Sequence, residues 1–172
     1  MRLRDLIELS TVMLALILIW AGSSKALGGR HRLQASIEGY AILPKLLVVP
    51  VAVTLPWIEM ALGIGLLTSF APPIPALGSG VILLGFTVGM VTSLVQGRRG
   101  VDCGCFGVGS GHSVSWLSVG QNLLLLGLAA MAAIPAQSNG LQLPSPPIFM
   151  TATADLTVAI LARIVFRLWR VV

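Results

Sequence analysis

Residues 46–70 read LLVVPVAVTLPWIEMALGIGLLTSF, an apolar run in which Glu59 is the single ionisable side chain. Wound as an α-helix at ~1.5 Å per residue, such a run crosses the ~30 Å hydrocarbon core of a bilayer. It therefore reads as a transmembrane helix. Pro50 and Pro56 are expected to bend it, because each removes a backbone donor and crowds the preceding turn.

Four further apolar segments flank it, at about 10–27, 76–96, 114–134 and 148–168. The chain is 56% hydrophobic and 10% charged, against roughly 25% charged in soluble domains. The fold class is all-α: a polytopic membrane helical bundle, with four core transmembrane helices plus a fifth C-terminal helix. Short connections make 1–172 one domain. The lipid bilayer is the first partner. The net charge of +5 is no sign of nucleic-acid binding, because the basic residues sit in loops and tails and form no aromatic-interleaved patch. They read as topology signals and lipid-headgroup contacts.

The N-terminus has the order of a secretory signal, but Asp5 and Glu8 interrupt its basic region, and it is retained as a helix. In the first connection, LQASIEGYAIL fits a short interfacial helix with Tyr40 at headgroup level. Gly63, Gly65, Gly78, Gly80, Gly85 and Gly89 recur at intervals that allow helices to approach closely in lipid.

Both cysteines of the chain, Cys103 and Cys105, lie in the loop RRGVDCGCFGVGSGH, residues 98–112. Cysteines two positions apart reach disulfide distance when the backbone between them turns sharply, and Gly104 permits that turn. Closing so small a ring removes little chain entropy, so the pair suits exchange better than stapling. Gly107 shapes the same turn and Phe106 anchors it in the bundle. Two other readings stand beside this one: small apolar fillers at a helix end, or a metal site of Cys103, Cys105 and His112. Two histidines in the chain and no second cysteine pair disfavour a metal.

CGCFG, followed by a helix with Trp116, Gln121 and Asn122, resembles the methylamine utilisation protein MauE family, within the MauE/DoxX group of redox-associated membrane proteins. AGSSKALGG with Lys25, EGYAILP, and LPWIEMALGIGLL with Glu59 extend the resemblance over about 21–133. The resemblance implies a multi-pass protein of the bacterial cytoplasmic (inner) membrane. It further implies a role in maturing the disulfide-rich small subunit of methylamine dehydrogenase, in company with a thioredoxin-like redox protein. Cys103 and Cys105 would then be the catalytic pair of a thiol–disulfide exchange or electron relay. No cofactor is evident, and no motif supports a quinone. A non-catalytic scaffold that recruits a client or thioredoxin-like partner, and a small-molecule carrier built on Glu59, are the competing readings.

An ionisable residue inside a span is by default a functional hypothesis. Lys25 is the candidate partner of Glu59 only if the two helices are offset or the second begins later than residue 46; otherwise Lys25 snorkels and Glu59 is protonated and hydrogen-bonded. Trp116 and Asn122 match the family pattern, but an interfacial aromatic and an interhelical hydrogen bond explain them without catalysis, and the structural reading is favoured for each. Five spans would place the cysteine loop on one side with nine of the eleven basic residues, Lys25, Arg30, Arg32, Lys45, Arg98, Arg99, Arg163, Arg167 and Arg170. That count favours a cytoplasmic loop, whereas a periplasmic client favours the opposite side.

Overall fold

A computed structural model describes residues 3–68, 73–98 and 113–134, with side chains placed from Asp5 onward. These residues form five helices: α1 (Leu3–Leu27), α2 (Arg30–Tyr40), α3 (Lys45–Leu67), α4 (Pro73–Val95) and α5 (Trp116–Ala132). α1, α3 and α4 are each long and apolar enough to cross a membrane. α5 is apolar but has 17 residues, about 25 Å at 1.5 Å per residue, somewhat less than the ~30 Å hydrocarbon core. The expected fifth span, 148–168, lies outside the described residues.

α1 packs on α3 and α5, and α4 packs on α5 and α3, closing a ring of four helices; α2 lies against α3 and α4. The ring buries Leu14, Ala15 and Leu18 of α1 against Leu66, Leu83, Leu125 and Ala129. α1 is thus a core helix. It begins at Leu3, earlier than the apolar run, with Asp5 in its first turn and Lys25 in its last, the polarity that the helix dipole favours.

Close approach in lipid depends on missing side chains. A Cβ on Gly63 would stand 2.7 Å from Ile19 Cγ1 and 2.8 Å from the Ala15 carbonyl; one on Gly22 would stand 2.6 Å from the Pro56 carbonyl. These contacts run in opposite order along the two helices, so α1 and α3 are antiparallel. Gly78 against Leu62 and Gly65 against Pro75 bring α3 and α4 together in the same way. Among the described residues a Cβ on Gly80 or Gly85 would meet nothing within 4 Å, so these two of the expected packing glycines bring no described helices together. α3 runs unbroken through Pro50 and Pro56. The Thr54 hydroxyl donates to the Pro50 carbonyl at 2.8 Å.

α2 is the short helix expected in the first connection, and Tyr40 closes it. The Tyr40 ring is 6% exposed and lies on Gly89 of α4, where a Cβ would stand 3.3 Å from Cγ. An absent side chain on α4 makes room for the ring, which packs into the bundle.

Candidate functional site

The two borders of the cysteine loop are built from local sequence. Gly97, at φ +71, turns the chain out of α4. Its N–H donates to the Leu94 carbonyl at 3.0 Å and that of Arg98 donates to Ser93 at 2.9 Å, the paired bonds of a glycine C-cap. On the far side, the Ser115 hydroxyl accepts from the Ser118 N–H at 3.3 Å and caps α5. Buried Val114 and Val119 join Tyr40 and Met90 in one apolar cluster, so both borders sit at the bundle end that holds α2. Cys103, Gly104, Cys105, Phe106, Gly107 and His112 lie outside the described residues.

Farther into the ring lies a polar layer. Lys25 Nζ of α1 and Glu59 Oε1 of α3 are 2.5 Å apart, with side chains 0% and 3% exposed. The Lys25 ammonium also stands 4.9 Å from the centre of the Phe86 ring of α4. One residue on, Thr87 Oγ1 accepts from Asn122 Nδ2 of α5 at 2.7 Å, and the same amide donates to the Leu83 carbonyl at 2.7 Å. Lys25, Glu59 and Phe86 form one set of contacts and Thr87 and Asn122 a second, and the consecutive residues Phe86 and Thr87 of α4 place the two side by side across all four helices of the ring. An unpaired charge in this environment would be costly, and pairing satisfies both charges at once.

The offset that the ion pair required is present. Gly22 stands at Pro56 and Met60, so the last residue of α1, Leu27, falls well inside the span of α3. α2 takes up the space that α1 leaves, packing Leu33 and Ile37 on Val48 and Ala52. Trp116 is not in the layer: it opens α5 with 65% of its surface exposed. Sequence reading missed the contributions of Phe86, Thr87 and Gly22. Only Gly22 left a signal, standing in the small-residue run AGSS at the place where two helices close on each other.

Among the described residues, Glu59 Oε2, Ser93 Oγ and Asn122 Oδ1 are buried without a hydrogen-bond partner. The layer thus has acceptor capacity left over on α3 and α5. Among the described residues no three His, Cys, Asp or Glu side chains gather closely enough to hold a metal ion.

A ring of apolar helices locked by an internal ion pair, with a short helix filling in behind a truncated one, defines a helical integral-membrane protein. No soluble bundle exposes Trp20, Leu46, Trp57, Leu77 and Leu124 together. Comparison with known proteins gives the family: residues 3–135 match the methylamine utilisation protein MauE family, and the chain belongs to it. It is 36% identical over 130 residues to methylamine utilization protein MauE of Paracoccus denitrificans, covering 73% of this chain and 68% of that one. With the protein of the same name from Paracoccus versutus it shares 31% over 151 residues, 87% and 75% of the two chains. The Methylophilus methylotrophus protein is 29% identical over 140 residues, 79% of this chain and 72% of its own. No solved structure matches significantly.

Proposed function

We propose that this protein is a multi-pass maturation factor of the bacterial inner membrane that supports disulfide formation or isomerisation in a client through Cys103 and Cys105. The observation that carries the reading is the family match, whose span from 3 to 135 includes the cysteine loop. The name shared by its relatives points to methylamine utilisation, and the small subunit of methylamine dehydrogenase is the client the resemblance implies. In the working bundle α5 serves as the fourth span and 148–168 as a fifth.

The chemistry is thiol–disulfide exchange. A client thiolate attacks one sulfur of the Cys103–Cys105 disulfide, and a mixed disulfide forms. The second client thiol then displaces the bound sulfur, which leaves the client oxidised and the pair as a dithiol. A thioredoxin-like protein in its disulfide form takes the two electrons from the pair and restores it. Rigid caps at Gly97 and Ser115 support this role, because they fix where the loop leaves and re-enters the bundle.

Alkylating mass tags applied to acid-quenched cells test the reading. The pair is expected as a mixture of dithiol and disulfide that shifts when the client is overproduced, and Cys103→Ser/Cys105→Ser is expected to abolish client maturation. A pair reduced under every growth condition would contradict exchange. Full maturation in the double serine variant would instead support a scaffold that recruits the partners without reacting.

A further inference from the structure

The opening turn of α2 is a feature that redox exchange leaves unused. Arg30, His31 and Arg32 follow one another there and all three are exposed. The first turn contains no acidic residue, and among the described residues no carboxylate pairs with any of the three. Glu38, the single acid of α2, lies two turns on. The opposite side of the helix buries Leu33, Ser36, Ile37 and Tyr40. At roughly 100° per residue, His31 points directly away from that buried stripe, with Arg30 and Arg32 to either side.

Their depth makes these cations unusual. With Gly22 at Pro56 and Met60, the antiparallel register sets Leu27 near Val53, and α3 continues for about 12 Å beyond that level at ~1.5 Å per residue. That stretch of α3 exposes Leu46, Leu47 and Val49, side chains suited to hydrocarbon. Exposed arginines near the level of a lipid-facing apolar surface must reach headgroup phosphate or remain unsatisfied. Exposed Leu27, three residues before Arg30, supplies a contact for acyl chains.

We infer that the opening turn of α2 is a binding site for anionic phospholipid, its headgroup phosphate held by Arg30 and Arg32 on either side of His31. The depth favours a lipid over an acidic protein, because the cations stand near the level of a helix surface, Leu46, Leu47 and Val49 of α3, that is suited to hydrocarbon.

Native mass spectrometry of the full chain, released from detergent with equal phosphatidylglycerol and phosphatidylethanolamine, tests the site. The protein is expected to retain phosphatidylglycerol preferentially. Arg30→Gln/Arg32→Gln should weaken that preference about fivefold per arginine and roughly thirtyfold for both. Arg98→Gln, which removes an exposed cation from the neighbouring end of α4, should leave it unchanged, and Arg30→Lys/Arg32→Lys should keep most of it. Circular dichroism of the variants separates lost binding from lost fold. Equal retention of the two lipids, an unchanged preference in the double glutamine variant, or displacement of the lipid by millimolar inorganic phosphate would each overturn the assignment. So would capture of an acidic protein at these residues in place of lipid.

Discussion

Lys25→Met removes one half of the ion pair while keeping a long, unbranched side chain in the same space. Glu59 then loses its Oε1 partner, and Oε2 already lacks one. With both side chains almost wholly buried, leaving the carboxylate unpaired costs ~3–5 kcal/mol. At ~1.4 kcal/mol per decade, that is about two to three and a half orders of magnitude in the folding equilibrium. The lost cation–π contact with Phe86 adds about 0.5–2 kcal/mol. The double variant Lys25→Met/Glu59→Leu behaves differently: it buries no charge, its volume is nearly conserved, and it should recover most of the loss. Reversible unfolding in mixed micelles, followed by tryptophan fluorescence, gives the four corners of a double-mutant cycle. A double variant whose cost equals the sum of the two single costs to within ~0.5 kcal/mol would mean that the residues do not act as a pair, and the argument for the polar layer would fail.

Gly63→Ala should destabilise by ~1–3 kcal/mol, since its Cβ would press on the fixed Ala15 carbonyl at 2.8 Å; Gly85→Ala, with open space around it, should stay within ~0.5 kcal/mol in the same titration. Asn122→Leu removes the donor to Leu83 and Thr87 and should cost about 0.6–1.7 kcal/mol, the range for interhelical polar contacts in membranes. Ser115→Ala removes the cap of α5 and should cost ~0.5–2 kcal/mol, seen locally as faster hydrogen exchange at the amide of Ser118.

Hydropathy located α3 and α4 to within a few residues because their whole length meets lipid or apolar neighbours. It placed the start of α1 too late. Asp5 and Glu8 end an apolar run, yet they are compatible with a helix that continues past the hydrocarbon. The pairing of Lys25 with Glu59 was legible only as a condition, since the relative offset of two spans depends on Gly22, Pro56 and Gly63 meeting across an interface that neither hydropathy profile encodes. Gly85 and Gly89 illustrate the same limit. Four residues apart, they look equivalent in sequence, but Tyr40 from α2 reaches one and no described residue reaches the other. Asn122 was correctly read as an interhelical hydrogen bond. Its partners on α4 could not be named, because they follow from the antiparallel register of α4 and α5.

α4 is the element through which the polar layer and the cysteine loop are connected. Phe86 faces the Lys25 ammonium and Thr87 holds Asn122; one turn farther Met90 packs under Tyr40 and Val114, and Ser93 offers its carbonyl to the N–H of Arg98 where the loop begins. These contacts succeed one another along a single rigid helix, so a shift of α4 on its axis cannot alter the cap at Gly97 without also disturbing the contacts of Phe86 and Thr87. The buried ion pair fixes α1 and α3 against that movement, and α2 fills the gap left where α1 ends. Offset, ion pair and filler helix are therefore mutually dependent: with α1 in the fully overlapped register Lys25 would miss Glu59, and without α2 the early end of α1 would leave Val48 and Ala52 uncovered. Holding the borders of the loop steady is what that dependence achieves, and the exchange proposed for Cys103 and Cys105 would draw on it, because a client would then meet the pair in a repeatable geometry.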